Sequence, residues 1–150
     1  NIRKIGIAVV AVVILAGAYY AILPLFRNVM VDEELPSENS GAAPTSGKSA
    51  EIKGTVGHPA SGQVKIVEAD GKKYIRYENL KTINGPDIYV YLAQDLEAKD
   101  YVNIGEVRAT EGNINYEIPE GVDPSDYKYV MIWCKQFGGV LFNSAEIEQN

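Results

Sequence analysis

From Ile5 to Phe26 the chain has 22 consecutive positions without a charged side chain. At a rise of about 1.5 Å per residue a helix of that length spans roughly 33 Å, enough to cover the hydrocarbon core of a bilayer. No other stretch restricts the chain as strongly, because backbone polar groups in lipid are satisfied only within a helix or a closed barrel. Pro24 falls in the last turn, where headgroups or water can satisfy the carbonyl it frees. Arg3 and Lys4 precede the run, and Asp32, Glu33 and Glu34 follow soon after Arg27. The positive-inside rule then places the N-terminus in the cytoplasm and the rest of the chain outside a cell membrane crossed once. A competing reading is a cleaved secretory signal, because Ala16-Gly17-Ala18 has the small-x-small pattern of a cleavage site. The apolar run continues through Tyr19-Tyr20-Ala21-Ile22-Leu23 and exceeds an ordinary signal core, which favours an uncleaved anchor spanning residues 1–31.

Beyond the anchor the composition changes. Residues 32–50 are rich in Glu, Ser, Gly, Ala, Pro and Thr, as in Glu38-Asn39-Ser40-Gly41-Ala42-Ala43-Pro44-Thr45-Ser46-Gly47, and read as a disordered, flexible linker. About 18 such residues have an r.m.s. reach of roughly 20–25 Å, so the sequence predicts a domain lifted off the headgroups.

Residues 51–150 form the folded unit. Short apolar and β-branched runs alternate with Gly, Pro, Asn and Asp, and no long amphipathic helix interrupts them. The pattern predicts strands near 52–56, 63–68, 73–78, 88–92, 102–107, 114–118, 129–134 and 140–142. Asp70-Gly71 marks a two-residue hairpin, and Asp123-Pro124 the start of a single helical turn. About eight strands imply an all-β unit, a β-sandwich or closed barrel. Sixteen of the twenty carboxylates fall in this region against ten lysines and arginines, within a net charge of −6, which argues against nucleic acid as a partner. A single cysteine excludes an internal disulfide, so stability rests on the hydrophobic core.

That cysteine, Cys134, follows the only tryptophan, Trp133, at the end of Val130-Met131-Ile132-Trp133-Cys134. Alternation puts Val130, Ile132 and Cys134 on one face and Met131 and Trp133 on the other. A thiol is a nucleophile, a metal ligand and a redox group, and it is also a small apolar filler. Lys135 and the Gly138-Gly139 turn lie close by in sequence. His58, in Gly57-His58-Pro59-Ala60-Ser61-Gly62, is the only histidine, and it reads either as a loop residue or as a ligand. These residue types cannot assemble a blue-copper centre, a four-ligand zinc site or a c-type haem attachment motif. A b-type haem between His58 and Met131 is compositionally open. Tyr89 and Tyr91 share a strand face and suit either an electron relay or a half-buried surface, and Asp87 suits a turn-closing role. No Ser/His/Asp set, phosphate loop or carboxylate pair with motif-like spacing stands out.

The blocks His58-Pro59-Ala60-Ser61-Gly62, Tyr77-Glu78-Asn79-Leu80-Lys81-Thr82, Asn84-Gly85-Pro86-Asp87-Ile88-Tyr89-Val90-Tyr91-Leu92, Asn113-Ile114-Asn115-Tyr116-Glu117-Ile118-Pro119 and Ile132-Trp133-Cys134 occur in that order. Together they resemble the DM-thirteen domain family across nearly all of residues 51–150, leaving out the helix and the linker. The resemblance implies a secreted or membrane-anchored β-sandwich, found alone or beside DOMON-type cytochrome domains. It further implies an electron-transfer role with the cysteine, here Cys134, as redox residue. The chain departs from the family pattern at Ile147, where the family has Leu, and in a Gly138-Gly139 turn one residue longer than usual. Two functions follow as expectations. The first is an extracytoplasmic redox domain with Cys134 cycling between thiol and an oxidised or partner-bound form, Trp133 shielding it, and a protein redox partner. The second is a surface module that binds a protein or glycan, with Cys134 structural.

Overall fold

The computed structural model describes residues 1–37 and 43–148. An apolar helix, α1 (Ile2–Ile22), has a mean hydropathy of 2.5 and no buried residue. It is long and apolar enough to cross a membrane, a property that signal sequences share. It tightens into a 3-10 turn at Leu23–Phe26, four residues short of the predicted end, because Pro24 has no amide with which to continue the α-helical ladder.

The strands are β1 (Met30–Asp32), β2 (Thr45–Ser46), β3 (Ala50–Glu51), β4 (Lys53–Gly54), β5 (Ala60–Ala69), β6 (Lys72–Thr82), β7 (Ile88–Ala93), β8 (Tyr101–Glu106), β9 (Glu111–Glu117), β10 (Tyr129–Cys134) and β11 (Val140–Glu146). One sheet has the order β1-β9-β6-β5-β2, with β3 also paired to β5. The other runs β4-β11-β10-β7-β8. The chain is mostly β, and its two sheets face each other as a sandwich. Val64, Ile75, Tyr77, Leu80 and Ile114 of the first sheet and Ile88, Val90, Leu92, Val130, Ile132 and Phe142 of the second form one buried core. The β5–β6 hairpin turns at Asp70 and Gly71 with φ of 51° and 73°, the left-handed pair that a two-residue turn requires. Asp123 caps the 3-10 turn at Pro124–Asp126 by accepting a hydrogen bond from the Ser125 amide at 3.1 Å.

Two expectations are corrected. The stretch read as a free linker is tied to the sandwich at both of its described ends, whereas residues 38–42 of it lie outside the described residues. β1 pairs in parallel with β9, and β2 and β3 pair with β5. The cause lies in polar contacts that a composition reading cannot see. Arg76, 5% exposed, donates through Nη1 to the Glu33 and Glu34 carbonyls at 2.7 and 3.3 Å and to Asn115 Oδ1 at 3.1 Å. Arg108 Nη1 donates to Glu33 Oε1 at 2.5 Å, and the Asn115 amide to Glu33 Oε2 at 2.8 Å. Asn113 Nδ2 donates to Asp32 Oδ1 at 2.6 Å. The Arg108 guanidinium, outweighing the cost of partial burial, holds the Glu33 carboxyl below its ordinary range.

The single strand predicted at 52–56 divides. The chain crosses from one sheet to the other at buried Ile52, and it turns sharply from Thr55 to His58 through Gly57 at φ +80°. Val56 sits at the tip of that turn, 100% exposed.

Candidate functional site

β10 lies in the middle of its sheet, between β7 and β11, and ends at Cys134, which pairs with Ile88 and Val140. The predicted alternation holds. Val130, Ile132 and Cys134 point into the main core, and Met131 and Trp133 lie on the outer face with Tyr91, Ala93, Tyr89 and Leu141. The Cys134 thiol is free and 1% exposed. Strand geometry therefore separates two neighbours in sequence. Trp133 does not cover the thiol, because successive side chains of a strand take opposite faces.

The outer face carries an aromatic file. Tyr91 stacks on Tyr101 with centroids 4.2 Å apart and rings 15° from parallel, and on Trp133 at 6.4 Å and 20°. Met131 fills the space beside Tyr91. Lys135 Nζ sits 3.6 Å above the Tyr89 ring, within cation–π range, and Tyr89 donates weakly to Glu106 Oε1 at 3.4 Å. Burial and the adjacent Tyr101 raise the Tyr91 phenol above its ordinary value, and Asp87, followed by burial, raises that of Tyr89. Both phenols are neutral at physiological pH. The file runs along the sheet from half-exposed Tyr101, at the start of β8, to Trp133 beside Cys134 at the end of β10.

The sequence reading missed Tyr101. Its place against Tyr91 depends on a bulge in the β7–β8 ladder between Val90 and Tyr91, opposite Gly105 at φ +146°. Alternation within one strand carries no information about such a shift between two strands.

His58 lies elsewhere. Its ring stacks on Phe142 at 4.2 Å, and its Nδ1 is 3.2 Å from Thr55 Oγ1. Phe142 belongs to the inner core and Met131 to the outer face of the same sheet. His58 and Met131 thus approach opposite sides of a sheet, and they do not fit as axial ligands of one haem. This corrects the compositional expectation, which took no account of faces. Among the described residues no group of three or more His, Cys, Asp or Glu is arranged to hold a metal ion.

A family model described as electron transfer DM13 matches residues 54–147, more than half of the chain. The chain belongs to the DM13 family. Comparison with curated proteins and with solved structures returns no match. The DM13 match spans β4 to β11 and so contains Cys134, His58 and the whole aromatic file. It leaves out α1 and the three strands β1, β2 and β3, although these strands complete the first sheet of the DM13 sandwich here.

Proposed function

We propose that the protein is a membrane-anchored, extracytoplasmic electron-transfer domain in which Cys134 is the redox group. Tyr101, Tyr91 and Trp133 conduct the electron between it and a protein partner. The observation that carries this reading is the stacked file, which ends one residue from the family's cysteine. Electron exchange through stacked rings needs no contact between the thiol and its partner, and a sulfur that is 1% exposed offers none. Thiol–disulfide exchange would require a partner sulfur to reach Cys134, so it is disfavoured in this closed conformation. In the outward direction the Cys134 thiol loses one electron through the file to a one-electron acceptor and one proton to water that reaches the sulfur on local opening at the end of β10, leaving a thiyl radical. The reverse step restores the thiol from one electron and one proton. Trp133 acts as a relay and not as a shield.

Flash photo-oxidation of the purified chain by a ruthenium polypyridyl and a sacrificial acceptor tests this. Aromatic radicals formed on the file are expected to decay to a sulfur radical in the unsubstituted chain. They should persist in Cys134→Ser, and Tyr91→Leu should slow their passage to Cys134. Identical aromatic-radical decay in the unsubstituted and Cys134→Ser chains would remove the cysteine from the function.

A further inference from the structure

Topology gathers one set of loops at a single end of the sandwich. The start of β1, the Thr55–His58 turn, the ends of β6 and β8, the start of β7 and the β10–β11 connection all lie there, because β5, β7, β9 and β11 leave this end and β6, β8 and β10 return to it. α1 enters at this end as well. Only Arg27, Asn28 and Val29 separate the 3-10 turn from β1, so Phe26 and Met30 are at most about 14 Å apart. That connection is pinned to the domain. The Val29 amide donates to Thr110 Oγ1 at 2.9 Å, the Thr110 amide to the Val29 carbonyl at 2.8 Å, and Asn84 Nδ2 to the Arg27 carbonyl at 3.1 Å.

The same end displays apolar side chains that the fold does not use. Val56 is 100% exposed and Phe137 74%, on two separate loops, with Phe26 at 79% and Met30 at 73% on the entering segment. Phe137 also has φ +59°, a left-handed conformation that strains a non-glycine residue. An aromatic ring held in that conformation and turned into water gains nothing from folding. Toward the opposite end, among the described residues, the exposed large apolar side chains are Leu35, Leu96 and Tyr101, each only 41% exposed.

We propose that this end of the sandwich docks on the bilayer that holds α1, with Val56 and Phe137 in the headgroup region. The inference rests on the anchoring part of the proposed function and is independent of the role of Cys134. The occupant follows from continuity. A domain leashed by three residues to a membrane helix keeps its entry end against the lipid, and aromatic and aliphatic tips flanked by Arg27 and Lys135 suit the interface. Cys134 then lies at the lipid end of the domain and Tyr101 at the aqueous end.

The test uses the full chain in phosphatidylcholine vesicles, with nitroxide lipids whose label lies near the headgroups. Single tryptophans are introduced by Val56→Trp, Phe137→Trp and, as the remote site, Lys99→Trp, each with Trp133→Phe. Several-fold stronger quenching at 56 and 137 than at 99 is expected. The unsubstituted chain supplies the same reading without engineering, because the Trp133 ring lies directly under the Gly139 backbone of the Phe137 loop. Its quenching should fall in Val56→Ser/Phe137→Ser. Flotation with the vesicles is measured alongside. A chain that floats but shows equal, weak quenching at all three sites overturns docking and leaves the anchor standing. A chain that fails to float overturns both.

Discussion

Gly112→Ala is expected to detach β1 from the sandwich while leaving the core in place. Gly112 pairs with Val31 across the parallel β1–β9 ladder and has φ +108°. A Cβ built there overlaps the Val31 carbonyl oxygen and lies 2.9 Å from its carbonyl carbon. Both atoms are backbone, so no rotamer change relieves the contact, and the left-handed φ adds about 1–2 kcal/mol of strain. The segment is held by the Glu33 amide on the Asn113 carbonyl at 2.8 Å, by the Val29–Thr110 bonds, and by Arg76 and Arg108 on Glu33. Each such bond contributes about 1 kcal/mol net, and ordering each residue costs a comparable amount. Docking is therefore worth only a few kcal/mol, and Gly112→Ala removes about 2–4 kcal/mol of it. At tenfold per 1.4 kcal/mol, hydrogen exchange at the Glu33 and Thr110 amides should accelerate roughly 30- to 700-fold. Amide exchange by mass spectrometry on the full chain in micelles reads the effect directly. Unchanged protection at Glu33 and Thr110 would refute the reasoning. So would an equal loss at Ile75 and Ile114, since that marks global unfolding and not release of one strand.

The Glu33 carboxyl lies below its ordinary value of 4.5, mainly through Arg108, so its contribution to holding β1 is complete above about that pH and is lost as the pH falls through the depressed folded value. Both partners are partly exposed, so the loss is expected to stay below about 1 kcal/mol, read as faster Glu33 amide exchange at acid pH and absent in Glu33→Gln. Burial raises the Tyr77 and Tyr91 phenols above the ordinary 10.0, so the fold favours their neutral forms. That stabilisation is complete below about pH 10 and is lost as the pH rises further; a tyrosinate titration should show a fraction that ionises only together with alkaline unfolding. Gly139→Ala should cost about 1–3 kcal/mol, because the residue has φ +97° and its Cβ would lie 2.7 Å from Trp133 Cζ2. Displacement of the ring should change Trp133 fluorescence, and an unchanged spectrum with native stability would contradict the packing described.

What the sequence determined by itself is whatever depends on neighbours along the chain. The apolar run marks α1, the period-two pattern of Val130 to Cys134 assigns faces to β10, Asp70-Gly71 sets a hairpin, and Asp123-Pro124 starts a turn. Each of these is a local preference, legible because the interacting atoms lie within a few residues. The ordered blocks around His58, Tyr77, Asn84, Asn113 and Trp133 carry the resemblance to the DM13 family, which the family match over residues 54–147 bears out. Tertiary structure alone decided three things. It tied β1 to β9 across about eighty residues, through Arg76 and Arg108 contacts with a segment whose composition suggests disorder. It placed Tyr101 on Tyr91 through a bulge that alternation cannot register, and it put His58 and Met131 on opposite sides of one sheet. The physical reason is common to all three: side-chain partners across a sandwich are chosen by strand register and sheet order, and these are properties of the packed core and not of any one stretch of chain.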